Sequence, residues 1–275
     1  MITLDGTYSW VLSYTNKHNI SGKVIESINT GDWTFCTSVK PEWNIDKLDM
    51  NISKFDPDLN RDVKFGHRGG IIVRNGRHTG IFNVLWPYDD IDVLGKYIKG
   101  EIWYETPEGE VKIAIMETRI FGDGWIDIIF SYNRSKKCIT LSTREHDHDD
   151  WWKVEEMKIN GEIINYVGSH VWIGCANAFE SSKEQFYSGH IRCIGVFNSA
   201  LSETDRDKFY EEYHDFKGIP KYFSRSAEHR KQVYSFEKMN PISFTNFKTT
   251  TPYKAFDFSG NGNHPIIYKK KGGEY

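Results

Sequence analysis

The sequence is poor in the features that mark most functional classes. No stretch of its 275 residues approaches the roughly 20 consecutive apolar positions of a bilayer-spanning helix, so membrane insertion is not expected. Neither sign of charge is in excess. The 35 Lys and Arg against 38 Asp and Glu leave a net charge of -3, and nothing global steers the chain towards nucleic acid or an anionic surface. Cysteine is scarce: Cys36, Cys138, Cys175 and Cys193 are scattered with no C-x-x-C pair, which gives zinc or redox chemistry little support. Buried free thiols on strands are the plain reading; a Cys175–Cys193 bridge between neighbouring strands is the alternative in an oxidising setting. No Gly-x-Gly-x-x-Gly follows a strand and opens a helix, and neither Gly-x-Ser-x-Gly nor His-Glu-x-x-His occurs. Residues 1–8 lack the basic and apolar regions of a secretory leader. The expectation is a chain not exported by the standard route, with an exported mature form as the alternative.

Aromatic residues are plentiful, at 15% including nine Trp, and hydrophobicity alternates with period two between turn residues. Residues 33–39 read as a strand closed by Pro41. Residues 70–74 and 79–86 flank Asn75-Gly76, 97–104 and 111–117 flank Pro107-Glu-Gly109, and 125–132 and 138–143 flank 133–136, giving three hairpins. Further strands are predicted at 154–159, at 162–166 across Asn160-Gly161, at 171–174 and at 189–197. So many short strands predict an all-β sandwich of two antiparallel sheets. One short helix is expected after Ser202. Ser202 with Asp205 forms a variant capping box, Phe209, Tyr213 and Phe216 line one face to pack on the sandwich edge, and Gly218 and Pro220 stop it. This predicts a sandwich over residues 1–216 and a polar, basic connector at 217–231, with residues 232–275 completing the sandwich or standing as the remnant of a second domain.

Three stretches carry a resemblance. Residues 125–132, Trp-Ile-Asp-Ile-Ile-Phe-Ser-Tyr, are similar to the "Trp-His-His-Val-Ala-Val-Thr-Tyr" strand of laminin-G/concanavalin A-like domains. Residues 157–163, Met-Lys-Ile-Asn-Gly-Glu-Ile, resemble that family's "Leu-Tyr-Val-Asp-Gly-Lys-Leu" hairpin. Residues 187–202 resemble its strand, Asn turn and "Ala-Leu-Ser" before a short helix. Residues 256–264, Phe-Asp-Phe-Ser-Gly-Asn-Gly-Asn-His, are similar to the family's opening strand but come last here, as in a circular permutation. The resemblance implies a concanavalin A-like (LamG-like) jelly roll and a lectin-like, non-catalytic role.

Candidate sites follow from residue type. Trp151 and Trp152 beside Asp149 and Asp150 suit a sugar, since a ring stacks on the apolar face of a pyranose while carboxylates accept from its hydroxyls; a core Trp next to a rim Trp is the bland reading. Trp86, Tyr88, Asp89 and Asp90 form a second set of the same kind. His146 and His148 in Glu145-His-Asp-His-Asp-Asp150 would share one face of a strand and hold a metal, against a plain solvated hairpin tip. Asp257, Asn261 and Asn263 offer oxygens to calcium, against a plain turn. No other cofactor is expected. The resemblance places a calcium-binding Asp where this chain has Arg192, which puts calcium there in doubt. The Glu-x-Asp-x-x-Glu of retaining glycosidases of this fold is absent; Glu155 and Glu156 are adjacent, and Glu101 and Glu105 are spaced too far for that motif. Three functions remain: a carbohydrate-binding or adhesion module, a structural virion protein (decoration, fibre or tail) without glycan binding, and a glycoside hydrolase or lyase. Partners would be glycans or a protein assembly, with homo-oligomerisation through exposed edges, on a virion or extracellular surface.

Overall fold

The structure is a computed structural model and describes residues 2–5, 10–14, 22–42, 53–56, 61–64, 70–75, 81–90, 95–148, 151–164, 170–176, 185–214, 242–245 and 266–269. The first half of the chain supplies β1 (Ile2–Asp5), β2 (Trp10–Tyr14), α1 (Gly22–Thr30), β3 (Trp33–Pro41), β4 (Ser53–Asp56), β5 (Arg61–Lys64), β6 (Ile72–Asn75), β7 (Ile81–Asp90), β8 (Gly95–Glu105) and β9 (Val111–Ile120). The second half supplies β10 (Ile126–Asn133), β11 (Cys138–Glu145), β12 (Lys153–Lys158), β13 (Glu162–Ile163), β14 (His170–Ile173), β15 (Cys175–Ala176), β16 (Gln185–Phe186), β17 (Ser188–Phe197), α2 (Glu203–His214), β18 (Ser243–Thr245) and β19 (Ile266–Lys269).

Two antiparallel sheets form the body. The first runs β1-β17-β3-β10-β11-β12, with β18 also on β17; the second runs from β8 through β7, β6, β14 and β2 to β19, with β9 and β13 on β8. Alternation explains which face each strand buries. On β9, Ala114, Met116, Thr118 and Ile120 are buried while Val111, Ile113, Ile115, Glu117 and Arg119 are exposed. The centre of the core is aromatic: Trp33 lies 5.2 Å from Phe35, 5.5 Å from Phe130 and 6.2 Å from Tyr132, centroid to centroid. Gly100 of the second sheet faces Phe130. A Cβ there would come within 2.7 Å of the ring, so the sheets approach this closely only over a glycine.

Several expectations are corrected. The fold has a second helix, α1, whose Val24 and Ile28, one turn apart, are buried in the core. Helix α2 lies on the outer face of the first sheet rather than at an edge: Phe209 is buried with Cys36, Ile129, Cys193, Phe197 and Leu201. The face runs through the middle of that sheet because Cys36 is paired with both Ile129 and Gly195. The side chain of Tyr213 and all of Phe216 fall outside the described residues. Cys193 is a free thiol, as are Cys36 and Cys138, so no Cys175–Cys193 bridge forms. Burial, then the neighbouring thiol of Cys193, pushes Cys36 well up; burial and then Asp127 push Cys193 up as well. Both stay protonated and act as small apolar groups. The strand after Asn160-Gly161 does not fold back on β12. Instead β13 crosses to β8, pairing Glu162 with Glu105 and Ile163 with Tyr104. A Cβ on Gly161 would lie 2.2 Å from the Glu105 carbonyl oxygen, so this crossing needs glycine.

The C-terminal segment contributes to both sheets. β18 pairs with β17 through Val196 and Ser243, and β19 pairs with β2 through Leu12 and Ile267. The 217–231 connector and Asp257, Asn261 and Asn263 lie outside the described residues.

Candidate functional site

Three pieces of chain meet at one end of the sandwich: the 121–125 loop between β9 and β10, residues 146–148 and 151–152 between β11 and β12, and a bulge in β17. Glu145, the last residue of β11, ties the first two together. It is buried, and its Oε2 accepts from the backbone N–H groups of Phe121 (2.9 Å) and Gly122 (2.6 Å). Its Oε1 receives Lys153 Nζ at 2.8 Å, and the same ammonium donates to the Arg119 carbonyl oxygen at 3.3 Å. A carboxylate with both oxygens committed to charge-assisted bonds is a rigid tether. The loop is also held by the Lys96–Asp123 ion pair. Gly124 lets it lie against the turn, since a Cβ there would fall 1.8 Å from Asp147 Oδ2.

This tether leaves aromatic rings in solvent. Phe121 is 54% exposed and Trp151 67% exposed. Around the Phe121 ring, Lys153 Nζ stands 4.7 Å and Arg119 Cζ 5.4 Å from the centroid, and His148 stacks on it at 5.3 Å. Trp125 closes the loop at its other end, with the Arg192 guanidinium 4.0 Å from its centroid and the His190 ring at 6.3 Å. Arg192 reaches it because it is the extra residue of a bulge: Ile191 pairs with Val39 and Cys193 with Ser38, leaving position 192 without a register partner.

Two residues past Trp125 the chain carries a buried acid. Asp127 has no solvent exposure, and Nε2 of His146 stands 3.0 Å from its Oδ2, off the angle of a hydrogen bond, so the contact is electrostatic when His146 is protonated. The His146 backbone N–H donates to the Trp125 carbonyl oxygen at 2.9 Å, joining turn and loop once more.

The residues singled out in the sequence are distributed as follows. Trp151 is the exposed ring of the turn. Trp152 is partly buried, packs against the α2 cluster and donates from Nε1 to Asp207 Oδ1 at 3.2 Å. Asp149 and Asp150 lie outside the described residues. β11 ends at Glu145, so His146 and His148 stand in a turn and not on one strand face: His146 turns in to Asp127 and His148 out to Phe121. Among the described residues no three His, Cys, Asp or Glu converge as metal ligands. Trp86, Tyr88, Asp89 and Asp90 belong to β7, where the pairing continues past Pro87 with residues 86, 88, 89 and 90 opposite Lys99, Tyr97, Lys96 and Gly95. Pro87 fits there because β6 pairs only as far as Leu85, so its missing N–H breaks no β6 bond. Sequence reasoning passed over Phe121, Trp125, Arg119 and Lys153 and weighed Arg192 only as a cation at a calcium position; the one local signal was Phe121-Gly-Asp-Gly-Trp125, rings bracketing a glycine loop.

No family model and no curated protein matches the chain. Solved structures do. A candidate carbohydrate binding protein from Bacteroides ovatus ATCC 8483 is 9% identical over 97% of this chain and 58% of its own, with a TM-score of 0.51. The CBM40 of the Ruminococcus gnavus IT-sialidase, bound to alpha2,3 sialyllactose, is 13% identical over 74% of this chain and 92% of its own, at 0.47. A heptameric SAP-like pentraxin from Limulus polyphemus is 12% identical over 73% and 76%, at 0.40. At such identities the likeness speaks for fold alone, and the fold is a concanavalin A-like jelly-roll sandwich of two antiparallel sheets.

Proposed function

We propose that this chain is a carbohydrate-binding module that holds a glycan at the Phe121–Trp151 end of the sandwich without cleaving it. The observation that carries the reading is the exposure of two large rings on loops that Glu145 fixes from below. Solvent-facing aromatics on rigid loops offer sugar rings an apolar face at little entropic cost, while Arg119 and His148 stand beside Phe121 as hydrogen-bond donors. Cleavage of a glycosidic bond calls for two carboxyl groups flanking it. Of the buried acids at this end, Asp127 stands against His146, and Glu145 commits its oxygens to two backbone amides and Lys153, while the exposed Asp123 is paired with Lys96. Neither buried acid is placed to serve as a solvated acid or base.

The test is binding to a glycan array and to soluble polysaccharides by wild type, Phe121→Ala and Trp151→Ala. Loss of one stacked ring should weaken binding about tenfold, equivalent to roughly 1.4 kcal/mol. Both rings are exposed, so far-UV circular dichroism should be unchanged. Unchanged affinity in both variants, or no glycan bound by wild type, counts against the proposal. Reducing ends released from a bound polysaccharide would replace it with a catalytic one.

A further inference from the structure

We propose that Asp127 and His146 share one proton that latches the 146–148 turn onto the first sheet, so that this end of the sandwich tightens as pH falls and loosens as pH rises. Asp127 is fully buried, and among the described residues neither of its oxygens accepts a hydrogen bond. The one partner it has within ion-pair distance among them is Nε2 of His146, at 3.0 Å. A buried carboxylate with neither hydrogen bond nor counter-charge is strongly disfavoured, so a proton has to sit on one group of the pair. With it the pair is neutral as a whole. Without it a bare anion is left under the turn.

Opening the turn removes that demand. His146 is where the turn is fastened, since its backbone N–H also donates to the Trp125 carbonyl oxygen at 2.9 Å. Swinging it out breaks that bond and puts both side chains in water, where each titrates alone. The closed turn therefore binds a proton that the open turn releases, and linkage fixes the sign. Closure is favoured below the ordinary range of histidine and loses ground as pH climbs through and past it. Asp127 touches no sugar in this scheme. It is a positioning residue, acting through His146 on a turn that carries His148 against Phe121.

The other charged and titratable groups around the pair do not produce this sign. Arg144 stands opposite Asp127 in the β10–β11 register and Arg192 at the bulge of β17, and arginine keeps its charge throughout. The thiols of Cys36 on β3 and Cys193 on β17 both feel Asp127, but burial holds them up and they stay protonated. Asp205 of α2 acts on Cys36 as Asp127 does, Asp147 lies against Gly124, and Lys153 of β12 is bound to Glu145. Carboxylates and ammonium groups ordinarily titrate outside the histidine range. Two histidines remain. His148 stacks on Phe121 where Arg119 and Lys153 already stand, so protonating it crowds in a third cation and favours opening at low pH. His190 lies beside Trp125 with Arg192, again a cation next to a cation. A turn that tightens as pH falls is therefore the mark of Asp127 and His146.

Amide hydrogen exchange, read by NMR on the whole chain between about pH 6 and 9, tests this, with each rate divided by that of an unstructured peptide at the same pH. One extra proton in the closed turn changes its closed-to-open ratio by up to about tenfold per pH unit. Protection of the His146 N–H should therefore fall by about tenfold or more across the range. The Ile159 N–H, bonded to the Lys137 carbonyl oxygen at the opposite end of β11, should hold level. Asp127→Asn should reverse the slope, because an amide at 127 donates to a neutral imidazole but leaves a charged one without its counterion. His146→Gln should flatten it. A flat wild-type profile, or an unreversed slope in Asp127→Asn, overturns the latch. Its consequence for glycans rests on the reading above: the array glycan that wild type holds best should bind roughly tenfold more weakly at the alkaline end. A wild type that binds no array glycan at any pH strikes that reading, while the exchange profile still decides the latch.

Discussion

Glu145 is the residue on which the loop end depends, because a buried carboxylate with two amides and an ammonium on it cannot be lost quietly. Glu145→Gln preserves shape but removes the charge, leaving Lys153 partly buried without its counterion. About 2 kcal/mol of stability should be lost, less than for a fully buried pair because Lys153 keeps some solvent. Chemical denaturation of the variant measures this, and the same variant should weaken glycan binding through a loosened Phe121. Adding Lys153→Met should restore part of the stability, since it removes the stranded cation; no recovery would mean that the amide bonds alone carry the effect. At this scale the sequence is legible only in part. Trp151 and Trp152 stand out as a pair of rings, yet their fates differ because Trp152 finds Asp207 on a helix fifty-five residues away, a partner no local pattern reveals. The placing of Phe121 and of Arg192 beside Trp125 was invisible for the same reason: one depends on a tether from β11 and the other on a bulge whose register only the neighbouring strand defines.

At the scale of elements, local chemistry and tertiary contact divide the work. The capping box of α2 was legible from Ser202 and Asp205 alone, and it forms in both directions: Asp205 N–H donates to Ser202 Oγ at 3.3 Å while Ser202 N–H donates to Asp205 Oδ2 at 3.2 Å. Ser202→Ala should cost about 1 kcal/mol in a thermal or urea melt. A change within error would show that Phe209 and Leu201, buried on the first sheet, hold the helix without its cap. The stretch before it is fixed from elsewhere: Thr34 Oγ1 donates to the Ser199 carbonyl oxygen at 2.6 Å and accepts from Leu201 N–H at 3.2 Å. Hairpins with turn signals between them were legible too, as at 107–109 and 133–136. What period two cannot state is which sheet a strand joins. β12 and β13 read as one hairpin across Asn160-Gly161, yet they sit in different sheets, because the glycine admits the Glu105 carbonyl and frees β13 to pair with β8.

On the scale of the whole molecule, both sheets draw strands from both ends of the chain. β1 and β18 lie along the same side of β17, opposite residues 188–191 and 194–196 respectively, and run in the same direction, so the two together cover an edge that neither covers alone. In the other sheet β19 pairs with β2. A chain ended after residue 241 would leave the C-terminal half of β17 and one whole side of β2 open. With a net loss of about 4 kcal/mol from seven ladder positions, and roughly 2–4 °C per kcal/mol for a chain of this size, the melting temperature should fall by about 10 °C. The newly bared edges should also raise aggregation, readable as light scattering during the melt. A truncated chain that melts with the full one would make residues 242–275 an appendage resting on a sandwich complete without them.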